Sequence, residues 1–428
     1  MRFREFGERA LRFRVAAALV LFWSAIAANI AAAESARPLS PGFSAEGLAD
    51  VSDYLRNEVS TGKIPGAVLL IQQHGQPVLL ENFGVMDVES RRPMTSDAIF
   101  RLYSMSKPVT SVAAMMLVDD GKMSLDDPLS KFIPAFEKTR VAVEERDGDG
   151  KVELATEPLA RPIRIIDLLR HTSGITYGFY GDTPVRKLYA SSGLFDGDVD
   201  NAQFAERLAK LPLAEQPGTL WDYGHSTDVL GRVIEVVSGK SLYEFEKERL
   251  LGPLGMRDTA FHVDDSQRAR VVEPLPGDRF KGSIAGLGDP VLRRRWESGG
   301  AGMLGTMADY ARFAQMLLNG GTLDGRRYLK PETVKLMTSD HVPPETKIAR
   351  DRFYFPSGDS GFGLGFAVRT VATPPLPAGE YRWDGVGGTF FFIDPNDDLF
   401  AICMMQSPSQ RQRIQNELKA LIYQALKK

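Results

Sequence analysis

The apolar positions of this chain change period several times, and each period predicts an element. Over residues 46–61 (EGLADVSDYLRNEVST), Leu48, Val51, Leu55 and Val59 recur at helical spacing until Gly62 and Pro65 interrupt them. Two alternating runs follow, 67–71 and 78–83, joined by His74-Gly75-Gln76-Pro77, the pattern of a β-hairpin. Residues 105–118 read as a helix that tolerates Pro108 in its first turn and stops at Asp120-Gly121. Ser104 then stands at the entrance of that helix.

The middle of the chain is mainly helical and loop-rich, with helical periods over 163–169, 201–211, 228–237 and 242–250. Residues 140–158 form two short alternating arms around Asp147-Gly148-Asp149-Gly150. This is a solvated hairpin turn rather than a calcium loop, because the spaced carboxylates and closing Glu of an EF-hand are missing. A further helix is expected over 307–318, strands over 363–368, 388–393 and 399–405, and a closing amphipathic helix over 414–426. No internal repeat is present. Strands at both ends enclosing a helical middle predict an α+β fold, with a discontinuous sheet domain (34–110 and 297–428) interrupted by a mainly helical domain (111–296). The active site is expected where the two meet.

Composition narrows the class. The 428 residues are 43% hydrophobic and 25% charged, so a large core is affordable and disorder is not the default. A net charge of -3 gives no electrostatic reason for nucleic acid or an anionic membrane surface as partner. At the amino terminus, Arg2, Arg4, Arg9, Arg12 and Arg14 precede an apolar run over 15–33 that ends in an A-x-A pattern at Ala31 and Ala33. Residues 1–33 thus read as an export signal cleaved near Ala33-Glu34, with a periplasmic or secreted mature chain. An uncleaved membrane anchor is the alternative, weakened by Ser24 and Asn29. The single cysteine, Cys403, precludes an intrachain disulfide, and its strand-like setting AICMMQ suits a buried thiol. Nothing in the pattern fixes an oligomeric state.

The chemistry begins with spacing. A serine is a poor nucleophile unless a base is fixed beside it. In Ser104-Met105-Ser106-Lys107 the lysine lies three positions on, one helical turn along the same face, and the helix amino terminus favours the anion that forms. S-x-x-K alone is a weak pattern, and the chain holds a second copy, Ser60-Thr61-Gly62-Lys63. That copy falls at a helix carboxyl end, where the dipole has the wrong sign and Gly62 breaks the shared face, so it reads as a structural cap. Taken alone, Ser104 also reads as an N-cap and Lys107 as a solvated lysine.

The neighbouring segments change that balance. FRLYSMSKPVT (100–110), LDDPLSKFIP (125–134), IRIIDLLRHTSGI (163–175), DYGHSTDVLGRVIE (222–235) and SGGAGMLGT (298–306) occur in order. Together they resemble the serine β-lactamase and D-alanyl-D-alanine peptidase superfamily, and most closely the β-lactamase-like family VIII carboxylesterases. The resemblance runs from about residue 46 to the last helix. It implies a β-lactamase/DD-peptidase-like fold, an antiparallel sheet flanked by helices. It implies Ser104 as acylated nucleophile, with Tyr223 and Lys107 as a coupled pair that passes the serine proton to the leaving group.

Tyr223-Gly224-His225 stands at the family's Y-x-N or Y-S-x position, departing from the commonest residues at its second and third places. His225 is a candidate substrate contact, with a structural histidine as the alternative. Trp383-Asp384-Gly385, followed by Asp394-Pro395, resembles the W-G-G motif of the esterases rather than K-T-G. By that resemblance the backbone amides of Ser104 and Val386 form the oxyanion hole, and Trp383, Asp384 and Gly385 contact substrate. The missing lysine removes a cation for a penicillin or D-alanine carboxylate, so neutral esters are the expected substrates. Asp384 is the misfit, since it would set a carboxylate near a developing oxyanion. Either it points away or the motif lies elsewhere, with Trp383 then an ordinary core aromatic.

Other hydrolase classes lack their residues here. No G-x-S-x-G elbow occurs, and His74, His171, His225, His262 and His341 show no metal-binding pairing. The expectation is therefore an exported serine carboxylesterase for small acyl esters, needing neither metal nor organic cofactor. The alternatives are a β-lactamase or D-amino-acid peptidase acting on amides, an acyltransferase, and an inactive relative that binds peptidoglycan or an acyl ligand. Specificity is expected to come from loops 177–200 and 271–296.

Overall fold

A computed structural model describes residues 42–146, 148, 152–278, 289–343, 346–348 and 358–427. The export segment 1–33, most of the 147–150 turn and residues 279–288 of the second specificity loop lie outside these.

Eight antiparallel strands make the central sheet, in the order Ser360–Phe362, Ala367–Arg369, Tyr381–Asp384, Phe390–Asp394, Leu399–Met405, Gly66–Gln73, Gln76–Asp87 and Arg92–Pro93. The first and last parts of the chain thus share one sheet, joined by the register Ala67↔Met405 through Gln73↔Leu399. Successive side chains of a strand face opposite sides, and here both sides are covered. Leu69, Cys403 and Met405 point towards the helices Ala45–Ser60 and Arg411–Ala425. Val68, Leu70, Ile402 and Met404 join the larger core with Ser106–Asp119 and Met307–Leu318. This is why LFAICMM is apolar without alternation: every residue of the strand is buried. Burial pushes the Cys403 thiol up to about 12, consistent with an inert structural residue.

Local chemistry sets the boundaries. Ser44 Oγ accepts from the Gly47 amide at 3.0 Å and caps the first helix. The first hairpin turns at His74 and Gly75, both at positive φ (53° and 69°), as a two-residue turn requires. The middle of the chain supplies helices Ile165–Leu169, Asn201–Leu208, Ser226–Ser238 and Leu242–Glu246. It also supplies a hairpin, Arg140–Arg146 with Val152–Pro158. Two elements differ from expectation. A helix, Pro184–Ser191, lies within the 177–200 loop, started by Thr183 as cap and proline in its first turn. The strand expected over 363–368 is split instead: Gly365 takes a φ of 99° and the Gly363 amide donates to the Phe366 carbonyl at 2.8 Å, making a hairpin turn.

Candidate active site

Ser104 sits in a single turn of 3-10 helix, Tyr103–Met105, that runs into the helix Ser106–Asp119. The elbow is pinned on several sides. Ser106 Oγ donates to the Tyr103 carbonyl at 2.7 Å, the Met303 amide donates to Ser106 Oγ at 3.1 Å, and the Tyr310 hydroxyl donates to the Met105 carbonyl at 3.0 Å. The capping role is unfilled: the helix's N-cap is Met105, which makes no side-chain cap bond.

Lys107 is not solvated; it is 1% exposed. Its Nζ lies 3.3 Å from Ser104 Oγ, 3.1 Å from the Tyr177 hydroxyl and 2.7 Å from the Gly300 carbonyl. Burial lowers its pKa to about 7, against partial opposition from Asp228 and Asp384. Near neutral pH a large share of the amine is therefore uncharged. A neutral amine has two N–H bonds and one lone pair. The Gly300 carbonyl can only accept, so one N–H is committed there; with the other towards Tyr177, the lone pair faces the serine hydroxyl.

Tyr223 approaches from the segment before the helix Ser226–Ser238. The side chains of Ser104 and Trp383 face its hydroxyl and lower its pKa in part. The Lys107 amine sits over the ring, 4.5 Å from its centroid. The ring is enclosed edge-on by His171 (4.9 Å), Tyr177 (5.4 Å) and Trp383 (5.4 Å). Burial first, and then Tyr180, raise the phenol well above its ordinary value, and the neighbouring Ser104 side chain only partly offsets them. To act as a base, a phenol needs neighbouring cations that depress its pKa or share its proton. The enclosure does the reverse and keeps it protonated, which makes Tyr223 a proton donor and Lys107 the base.

The strand Tyr381–Asp384 ends against the nucleophile elbow. A side chain on Gly385 would place its Cβ 2.3 Å from the Leu102 carbonyl, so only glycine permits this approach. Thr389 Oγ1 donates to the same carbonyl at 3.3 Å and Gln406 Nε2 donates to the Arg101 carbonyl at 3.2 Å, fixing the two backbones together. Among the described residues no carbonyl accepts from the half-buried Val386 amide. That leaves an N–H for a developing oxyanion beside the amino-terminal turn of the nucleophile helix.

Two expected substrate contacts are not made by the residues named. Asp384 points away from Ser104, towards Arg411 on the last helix, with 3.9 Å between Arg411 Nε and the carboxylate. Trp383 faces the site, so period-two alternation turns its neighbour to the opposite side of the sheet. Burial pushes the Asp384 carboxyl above its usual range. His225 is 3% exposed, ring-packed against Tyr177 (4.4 Å) and Phe204 (5.3 Å), with Nδ1 3.0 Å from Asp228 Oδ2. Its place is structural. Gly385 contributes backbone, and Trp383 touches Tyr223.

Two groups escaped the sequence reading. Tyr177, two positions beyond the end of the quoted IRIIDLLRHTSGI segment, is 2% exposed and holds the Lys107 amine. Asp228 accepts from Ser298 Oγ at 2.6 Å and from the Gly300 amide at 3.1 Å, so it fixes the loop whose carbonyl receives Lys107. Burial pushes Asp228 up, but His225, Lys107 and Ser298 together bring it below the usual carboxylate range. A carboxylate one turn into the helix after the tyrosine, followed by a glycine-rich loop, was the available signal.

Comparison with known proteins agrees with this fold. The family model Beta-lactamase matches residues 51–424. Protein Rv1367c of Mycobacterium tuberculosis (strain H37Rv) is 37% identical over 365 residues, covering 82% of this chain and 88% of its own. The lovastatin esterase of Penicillium rubens is 35% identical over 371 residues, covering 82% and 90%. Among solved structures, EstCE1, a hydrolase with promiscuous acyltransferase activity, superposes with a TM-score of 0.71 at 26% identity, covering 88% of this chain and 99% of its own.

Proposed function

This chain belongs to the beta-lactamase family and is a serine hydrolase of that fold, and from that premise we propose that it is an exported carboxylesterase for small acyl esters acting through an acyl-enzyme on Ser104. The observation that carries the proposal is the pairing at the serine hydroxyl: a buried amine with a pKa of about 7 at 3.3 Å, and a buried, protonated phenol whose ring lies 4.5 Å from that amine.

The steps follow from these positions. Ser104 Oγ attacks the ester carbonyl while its proton passes to the Lys107 lone pair. The carbonyl oxygen, now negative, is received by the Ser104 and Val386 amides. As the tetrahedral adduct collapses, Tyr223 gives its proton to the departing alkoxide, and the proton held by Lys107 returns to the phenol. Water then attacks the acyl-enzyme with the same groups in reverse order. An alcohol in place of water gives acyl transfer, the reading favoured by the likeness to EstCE1.

The ester preference rests on the resemblance of Trp383-Asp384-Gly385 to the W-G-G motif of the esterases, in which a tryptophan replaces the lysine that K-T-G offers a substrate carboxylate. Turnover of p-nitrophenyl butyrate and of a chromogenic cephalosporin, measured side by side, tests it. A higher kcat/KM for the ester is expected, and faster cephalosporin turnover would overturn it. Export rests on the arginine-rich, apolar segment 1–33. Amino-terminal sequencing of the protein from the periplasm or medium should begin near Glu34, and a chain retained in the cytoplasm with Met1 intact would contradict it.

A further inference from the structure

Resting on the esterase reading, we infer that Asp228 is the positioning residue of the general base: its two carboxylate oxygens brace the two groups that flank the Lys107 amine, and so aim that amine at Ser104. Asp228 lies buried in the first turn of the helix Ser226–Ser238, where the positive end of the helix favours a carboxylate. One oxygen, Oδ1, accepts from Ser298 Oγ at 2.6 Å and from the Gly300 amide at 3.1 Å. The carbonyl of the same Gly300 receives Lys107 Nζ at 2.7 Å. The approach is close, since a Cβ on Gly300 would come 2.8 Å from the carboxylate. The other oxygen, Oδ2, lies 3.0 Å from His225 Nδ1, and the His225 ring meets the Tyr177 ring edge to face, 4.4 Å between centroids. Tyr177 carries the hydroxyl 3.1 Å from the same amine.

With its two N–H bonds directed at Gly300 and Tyr177, neutral Lys107 has one direction left for its lone pair, towards Ser104. A misplacement of about 1 Å in such an arrangement can cost about 10²-fold in rate. His225 gains a role on this reading: it passes the hold of Asp228 on to Tyr177. The loop has a second anchor, because Thr110 Oγ1 on the nucleophile helix donates to the Gly299 carbonyl at 2.9 Å. A change at Asp228 therefore re-aims the loop without releasing it.

Asp228 also acts through its charge. The ionisable groups facing the amine are Asp228, Asp384, His171 and the phenols of Tyr177 and Tyr223, with His225 behind Asp228. Burial keeps His171 neutral and both phenols protonated, and it pushes Asp384 towards its neutral form. Asp228, held below the usual carboxylate range, is the charge that most favours the protonated amine. Without that charge the amine loses its proton at lower pH.

Three variants separate aim from charge. Asp228→Asn keeps the shape and both contacts, its carbonyl accepting from Ser298 and Gly300 and its amide donating to His225 Nδ1, while the charge is lost. Asp228→Ala loses the contacts as well, and Ser298→Ala keeps the charge but removes one bond of the brace. For each, kcat and KM on p-nitrophenyl butyrate should be measured across the neutral pH range. Asp228→Ala should lose about 10²-fold in kcat, with KM within about threefold of the parent. Asp228→Asn should lose about tenfold or less, with the rising limb of its pH profile moved to lower pH. Ser298→Ala should lose several-fold in kcat with the limb in place. A kcat within about threefold of the parent in Asp228→Ala, a loss carried by KM, or an unmoved limb in Asp228→Asn would overturn the assignment. If Asp228→Ala fails to fold, the other two variants decide it by the same readings. Failure of the esterase reading itself would show separately, as a parent enzyme inert on p-nitrophenyl esters and unlabelled at Ser104 by a serine-directed phosphonate.

Discussion

The two S-x-x-K copies in this molecule are chemically identical as text and opposite in structure. Ser60 is the last residue of the helix Ala45–Ser60, and its hydroxyl donates to the Asn57 carbonyl at 3.2 Å. Lys63 follows Gly62, whose φ is 70°, is 46% exposed along its side chain, and pairs with Glu58 at 3.2 Å. Ser104 stands at the opposite end of a helix, and Lys107 is 1% exposed beside it. The difference is burial. Lys63 is a surface amine in contact with water, whereas the packing of Tyr177, Tyr223 and the Gly300 loop around Lys107 makes the same side chain a base at neutral pH. A motif becomes a catalyst through the groups that exclude water from it.

The contrast can be broken most severely at the serines. Ser104→Ala should reduce ester turnover to background, a loss on the order of 10⁴-fold or more, whereas Ser60→Ala should leave kcat/KM unchanged in the same assay. Next come the lysines. Lys107→Met should lower kcat by about 10²- to 10⁴-fold, the range of general-base catalysis, with a folded circular-dichroism spectrum. Lys63→Met removes one of two cations paired with the buried Glu58, which keeps Arg413, and should cost about 0.2–1 kcal/mol of stability, read as a small shift in the denaturant midpoint.

Tyr223→Phe removes the proton donor but not the base. A loss of about 10²-fold is expected with p-nitrophenyl acetate, and a larger one with ethyl acetate, whose alkoxide needs the proton more. The smallest effect concerns pH. Since the lowered Lys107 pKa makes the neutral amine the active form, kcat/KM should rise with pH through about 7 and then level off. The Tyr177 hydroxyl accepts from Lys107 and so favours the charged amine. Tyr177→Phe should therefore move this limb to lower pH, with a change of only a few-fold in the plateau.

Much of the framework was legible because it is written in periods. The run LFAICMM and the helix 307–318 follow directly from apolar spacing. Ser104 and Lys107 were legible because helical geometry fixes where a residue three positions on must lie. What escaped depends on distant contacts. Tyr177 gains its role only by meeting Lys107 across 70 positions of sequence. His225 is turned inwards by Asp228 and by aromatic rings from elsewhere in the chain. Asp384 was left between two alternatives although alternation carried the answer: with Trp383 facing the site, the next side chain had to point away, towards Arg411. The strand expected over 363–368 failed on Gly363 and Gly365, whose spacing already signalled a turn.

The central claim is that the burial of one amine turns Ser104, and not Ser60, into a covalent catalyst. Rapid-quench intact-mass analysis during the first turnovers of a p-nitrophenyl ester, followed by peptide mapping, tests it most directly. The account predicts a single adduct of the acyl mass on the peptide carrying Ser104, absent in Ser104→Ala. Sustained turnover with that peptide unmodified, or an adduct that persists in Ser104→Ala, would contradict it.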